Sequence, residues 1–378
     1  MKILIASDSF KGSMTALEAS ESINQGVISV CPNAMVKKLP LSDGGEGLVD
    51  CLIAATGGKY MKNNVTGPMG KPTIACWGIL GDQKTAVIEM ASASGLLVDT
   101  LERNDPRIAT TYGTGELIKA ALDAGCSKII LGLGGSATND GGSGMAQALG
   151  AKLLNRNGQE LPFGGSSLLY LNKIDISGLD SRLKDVEVQA ACDVDNPLIG
   201  NKGASHVFGP QKGASSEVVL ELDRGLSHYA KIIKQDLNVD IVNMPGAGAA
   251  GGLGAGVVAF LNGNLSSGID LVIESVGLEA QLKTSDLVFT GEGKLDEQTV
   301  YGKVPVGVAR LAKKHQIPLI AIAGSVCRNN LQLYQEGITA CFPIITEPMS
   351  LESAMSQGKE LLEFTANQIM RLITINDY

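Results

Sequence analysis

Several polar clusters in this chain share one form: an apolar run, then glycine mixed with carboxylate, amide or hydroxyl side chains. The first is Asp8-Ser-Phe-Lys-Gly-Ser13, directly after the apolar residues Ile3 to Ala6. At the carboxyl end of a strand, where open α/β sheets bind ligands, Asp8 can hold a metal or a hydroxyl and Lys11 a phosphate as a mobile point charge. A solvated turn whose serines cap the next helix is the alternative. Ser42-Asp43-Gly-Gly-Glu46-Gly47 sets two carboxylates three apart around a Gly-Gly bend. That spacing suits one face of an opening helix turn, with backbone N–H groups free for an anion; capping by Ser42 or Asp43 accounts for part of it. Gly132-Leu-Gly-Gly-Ser136-Ala-Thr138-Asn139-Asp140-Gly-Gly-Ser143 has a strand running in and a helix running out, so hydroxyls, N–H groups and a helix N-terminus can cradle phosphate. A purely structural tight turn is the other reading.

Asp193-Val-Asp195-Asn196-Pro197 follows an apolar run ending at Cys192. Two carboxylates at i and i+2 beside an amide can bind Mg²⁺ or orient an attacking hydroxyl, whereas an Asx-turn before proline accounts for Asn196 but not readily for both aspartates. Gly291-Glu292-Gly-Lys294-Leu-Asp296-Glu-Gln298-Thr299 again places glycines, carboxylates and a lysine at a strand's end. The polar loop Gly209-Pro-Gln-Lys212-Gly213 has no evident role. Gly246 to Gly251 matches GxGxxG, but Pro245 intervenes where a dinucleotide fingerprint needs a strand, and small residues for close helix packing explain it better.

Other chemistries are disfavoured. No Gly-Lys pair is followed by Ser or Thr, so there is no Walker A loop. No histidine and cysteine set has zinc spacing, and no GxSxG elbow is present. The net charge is −8 with no basic stripe, which argues against nucleic-acid binding. Acid-plus-glycine loops with two lysines ask for an anionic ligand, a divalent cation and a hydroxyl nucleophile. Phosphoryl transfer fits, because its catalysis is mostly positioning and charge neutralisation.

The elements that must position these loops come from 378 residues, enough for two domains or three. Glycine is the outlier at 47 residues, about 12% against a usual 7%. Lys2 to Ala6 reads as a buried strand, and Thr15 with Glu18 as a capping box opening a helix whose stripe is Ala16, Ala19, Ile23 and Val27. The stretch from about 60 to 110 is strands and turns. Strands are expected at Lys128 to Leu133, Val186 to Cys192, Asp286 to Thr290, Pro318 to Ala323 and Thr339 to Ile345. Helices are expected near Ser216 to Lys234, Gly251 to Leu261, Val304 to His315, Asn329 to Glu336 and Leu351 to Ile373. Both ends alternate strand and helix, as a parallel sheet requires, and the middle does not. The reading favoured is a discontinuous domain from residues 1–60 and 285–378 with 61–284 inserted; two consecutive domains splitting near 280 is the alternative. Seven cysteines without a CxxC pair suggest buried free thiols, and no apolar run is long enough to span a bilayer, so a cytoplasmic protein without membrane partners is expected.

The chain resembles the bacterial type 1 glycerate kinase family. Eight stretches carry the resemblance in family order: ILIASDSFKGS (3–13), SDGGEG (42–47), IEMASASGL (88–96), TYGTGELI (111–118), GLGGSATNDGG (132–142), ACDVDNPL (191–198), VFGPQKGA (207–214) and FTGEGKLDEQT (289–299). Where the family usually has arginine this chain has Lys294, which keeps the charge and loses the bidentate fork. The resemblance implies ATP- and Mg²⁺-dependent phosphorylation of D-glycerate, with 2-phosphoglycerate favoured over 3-phosphoglycerate. It also implies two α/β domains, one flavodoxin-like and built from both chain ends, with the active site between them. The expected site is Asp193, Lys11, Asp8, Asp296 and Lys294 as catalytic groups. Asp43, Glu46, Ser136, Asn139, Asp140, Asn196, Gly291 and Glu292 are expected to contact substrate or phosphate, with Asp193 and Asp43 as metal ligands. A sugar-acid binding protein without turnover, an oxidoreductase using the 246–251 glycines, or a kinase for a related hydroxy acid are the alternatives. Whether the protein is a monomer or a dimer is left open.

Overall fold

The computed structural model describes residues 1–98, 104–297, 299–328 and 331–375. By its contacts the chain divides into two units: residues 1–43, 50–56 and 269–378 form the first, and residues 44–49 and 57–268 the second.

The first unit holds a five-stranded, all-parallel sheet. Its spatial order is Met35–Lys38, Lys2–Ile5, Leu287–Leu295, Leu319–Val326 and Ala340–Pro343, which in chain order is 2-1-3-4-5, the flavodoxin-like arrangement. Ile3, Ile5, Leu287, Phe289, Ile320 and Ile322 pack on helices Ala16–Val30 and Gly358–Ile373. The alternate residues Leu4, Val288 and Ala321 are equally buried, so these strands are covered on both faces and read as unbroken apolar runs. Helix Ala16–Val30 opens with the expected capping box, the Thr15 hydroxyl accepting from the Glu18 N–H while the Glu18 carboxylate accepts from the Thr15 N–H. The helix expected from 351 to 373 is two, Leu351–Ser356 and Gly358–Ile373, meeting at Gln357. The helix expected from Asn329 is Leu331–Glu336; Asn329 and Asn330 lie outside the described residues.

The second unit is built on a mixed six-stranded sheet in the order Asn264–Ser266, Glu187–Ala191, Lys128–Gly132, Thr85–Glu89, Pro72–Ile79 and Lys59–Thr66. The first four are parallel and the last two turn antiparallel. Its core gathers Trp77, Ile129, Leu131, Leu226, Tyr229 and Leu253 around helices Tyr112–Asp123, Ser216–Leu237 and Ala249–Leu261. The last of these begins irregularly: Ala250, Gly251 and Gly252 are all left-handed, at φ of 51°, 68° and 89°. All seven cysteines are free, but only Cys51 and Cys126 are buried, so the expected burial holds for those two alone. Among the described residues no helix is long and apolar enough to cross a membrane.

Candidate active site

In the first unit the sheet's strand order reverses between Lys2–Ile5 and Leu287–Leu295, and ligands of such sheets bind outside the carboxyl ends at that point. The two chains stay paired past the strands' shared register, with the Asp8 N–H donating to Gly291 O at 2.9 Å. Asp8 is thereby set beside Gly291 and Glu292. Its Oδ1 accepts from the Ser9 N–H at 2.6 Å. Burial, reinforced by the charges of Asp43 and Glu292, pushes the Asp8 carboxyl up to about 8. Glu292 is buried, accepts from the Thr299 hydroxyl at 2.6 Å and pairs with Lys303 Nζ at 3.5 Å; burial raises its carboxyl too. Lys294 is exposed, 3.2 Å from Asp296, whose N–H donates to Thr299 Oγ1. Lys11 is exposed and Asp43 half-buried. Gln298 lies outside the described residues.

Among the described residues no three His, Cys, Asp or Glu side chains form a metal-holding group. Mg²⁺ does not require one, since it keeps several waters and is held by one or two carboxylates plus substrate phosphates. Repulsion between Asp8, Asp43 and Glu292 is what a divalent cation relieves, so this carboxylate set fits the ion in charge.

In the second unit the carboxyl ends of the parallel strands deliver Glu89, Gly132, Asp193 and Gly268 to one edge. Segment 44–49 lies on that edge. The Val49 N–H donates to Glu89 Oε1 at 2.9 Å, and Gly44, at φ 95°, approaches so closely that a Cβ there would stand 2.7 Å from Gly268 Cα and 2.8 Å from Ala191 Cβ. Asp193 is exposed, and its Oδ1 accepts from the Gly268 N–H at 2.9 Å. The carboxylate is therefore anchored to the end of the neighbouring strand's segment. Asn196 Nδ2 donates to Lys202 O at 2.8 Å, and Glu46 is exposed.

In the glycine loop after Lys128–Gly132 the donors at the helix end are met from within the protein. Asp140 is fully buried and accepts from the Thr111 N–H (2.8 Å), the Thr111 hydroxyl (2.9 Å), and the N–H groups of Gly142 (3.1 Å) and Gly144 (3.3 Å). Met145 N–H is taken by the Thr111 hydroxyl. The donors opening helix Ser143–Ala148 are thus occupied from within the protein, and burial holds the Asp140 carboxyl above its ordinary range. Asn139 is also fully buried and donates to Ser205 Oγ at 2.9 Å, and Ser136 is buried. The 246–251 glycines serve packing: a Cβ on Gly251 would collide with the Thr138 carbonyl, and the Gly141 N–H donates to Gly251 O.

Sequence reasoning gave no role to Thr299, Lys303, Glu89, Thr111 or Lys212. Thr111 and Glu89 stood inside recognised stretches without a partner in sight. Lys212 stood in a loop between two glycines, and Lys303 in a Gly-Lys pair considered only as a failed Walker A loop.

Comparison with known proteins agrees with these motifs. The model of the glycerate kinase family matches residues 3–374. A glycerate kinase of Bacillus subtilis strain 168 is 51% identical over 99% of this chain and 98% of its own. A glycerate 2-kinase of Escherichia coli K12 is 53% identical over 94% and 93%. A crystal structure of a candidate glycerate kinase 2 from Salmonella typhimurium LT2 superposes with a TM-score of 0.91 at 48% identity, covering 100% of this chain and 99% of that one. With the ordered loops, the reversed sheet edge and the full-length match together, this chain belongs to the glycerate kinase family.

Proposed function

We propose that the protein transfers the γ-phosphoryl group of ATP to the 2-hydroxyl of D-glycerate, giving 2-phosphoglycerate and ADP, with Mg²⁺ as the metal. The observation that carries this reading is the near-complete alignment, at 53% identity, with a relative named glycerate 2-kinase. The acidic edge of the first unit supports it, since buried carboxylates with exposed lysines beside them suit a polyphosphate bound through a cation.

Mg²⁺ when bound neutralises phosphate oxygens, and Asp8 and Asp43 are the residues that would hold it. Lys11 and Lys294, long and exposed, reach the transferring oxygens as point charges. Asp296 and Glu292 orient the first and second of the lysines in their loop, Lys294 and Lys303. Asp193 receives the acceptor hydroxyl's hydrogen bond and takes its proton as the bond to phosphorus forms. The Gly268 N–H fixes its carboxylate for that task. Gly291, Glu46, Ser136 and Asn196 contact substrate or phosphate, while Asn139 and Asp140 hold their loop from inside.

The test is ADP release from purified protein with ATP, Mg²⁺ and D-glycerate, each omitted in turn, and phosphorus NMR of the product. Turnover at about 1–1000 s⁻¹ that vanishes on chelation is expected. Folded protein without magnesium-dependent turnover overturns the activity, and phosphate on the 3-hydroxyl overturns the acceptor position.

A further inference from the structure

We propose that Lys212 and Asn104 form an internal clamp that positions the loop 134–140 for phosphoryl transfer, an inference that rests on the kinase reading above. Lys212 ends the short turn Pro210–Lys212 with its side chain 1% exposed, and Nζ donates to Thr138 O at 2.7 Å. Asn104 Nδ2 donates both to Ala137 O at 3.1 Å and to Lys212 O at 2.7 Å. Two successive carbonyls of the loop are therefore held by two side chains, and the Asn104 amide also grips the backbone carbonyl of Lys212. On its other side the loop is fixed by the Ala137 N–H on Ser94 O, and Gly134 packs against Gly45 on the sheet edge that carries Asp193.

Stability alone does not account for this lysine. A buried ammonium pays heavily in lost hydration, and an apolar side chain of similar volume commonly serves a core as well or better. Burial pushes the Lys212 ammonium down to about 7 despite the opposing charge of Asp140. Of its three donors, one meets a protein acceptor among the described residues. Thr138 Oγ1 and Asn139 Oδ1, in the same loop, are buried without a protein partner among the described residues. What the pair Lys212–Asn104 supplies is one fixed path for a glycine-rich segment that has many. Both act through the backbone of residues 137 and 138, so they are positioning residues.

The variants are Lys212→Met, Asn104→Ala and the double mutant, read by steady-state kinetics, melting temperature and amide hydrogen exchange. For Lys212→Met, a fall of at least tenfold in kcat/KM for D-glycerate is expected, with exchange accelerated at least tenfold in peptides covering 134–142. Strand Lys128–Gly132 should stay protected and the melting temperature close to wild type. Asn104→Ala should move both readouts the same way and less, and the double mutant should fall short of the product of the two. Wild-type kinetics with wild-type loop exchange in Lys212→Met overturns the clamp, as does acceleration spread evenly over the second unit. If Lys212→Met does not fold, Asn104→Ala decides by the same two readouts. Should the wild-type protein fail to phosphorylate glycerate, the kinase reading falls, and the exchange pattern still decides whether the clamp exists.

Discussion

Asp193 and Asp8 are both carboxylates at strand ends, yet their surroundings differ. Asp193 is exposed, and the Gly268 N–H that it accepts directs its carboxylate. Asp193→Asn keeps that anchor and loses the charge; under the proposed mechanism kcat should fall about a hundredfold, about 2.7 kcal/mol, with the melting temperature almost unchanged. Near-wild-type kcat at saturating Mg²⁺, ATP and glycerate would remove it from the catalytic set. Asp8 is held at about 8, above the ordinary aspartate value of 3.8. Between those limits the native state binds the extra proton, so its contribution to stability is present at low pH and is lost as pH rises towards 8. Asp8→Asn should therefore abolish activity while raising stability at pH 8 by on the order of 1–3 kcal/mol, a gain that shrinks as pH falls to 4. Saturating Mg²⁺ should narrow the difference by stabilising the wild type. Melting curves across pH settle both points, and equal stability of the two proteins at every pH would contradict the assignment.

At the scale of elements, what was legible was what is local. The capping box at Thr15 and Glu18, the apolar stripe of the helix it opens, and the β-rich stretch after residue 60 are patterns within a few residues of each other. Met35–Lys38 gave no signal because an edge strand with exposed lysines lacks an apolar run. The loop at 132–142 shows the limit most clearly. Its residue types suit a ligand, but the N–H groups of Gly142, Gly144 and Met145 at its end are taken by Asp140 and Thr111, and Thr111 lies 29 residues away from Asp140 in sequence. Asp193 likewise depends on Gly268, 75 residues on. No spacing rule reveals such partners. The glycine run at 246–251 was legible in kind, and its backbone now makes a sharp expectation. Gly251→Ala puts a methyl group into the Thr138 carbonyl at a left-handed φ, and should cost about 2–4 kcal/mol. A fall in denaturation midpoint of that size should be measurable by urea titration, and an unchanged midpoint would show the loop and helix to be more yielding than their packing implies.

For the whole molecule, the flavodoxin-like sheet assembled from both ends and the mixed sheet assembled from the middle each have a core of their own. We propose that they are separate domains in the folding sense. Residues 57–268 expressed alone should unfold cooperatively, since the six-stranded sheet and the helices that cover it lie within that span. Loss of segment 44–49 removes the contact of Val49 with Glu89 and should lower the melting temperature without abolishing the transition. A fragment that melts without cooperativity would count against independent domains.

The central position of Lys2–Ile5 in its sheet also governs the protein's birth. Ile3 pairs with Val36 on one side and with Leu287 on the other, so the second pairing waits for roughly 250 further residues of synthesis. At about 5–20 residues per second the wait is on the order of 12–50 seconds. Through that interval Lys2–Ile5 is an apolar strand with an open edge, while the middle can complete its own core. Lys2–Ile5 therefore depends on being shielded until Leu287–Leu295 has been made.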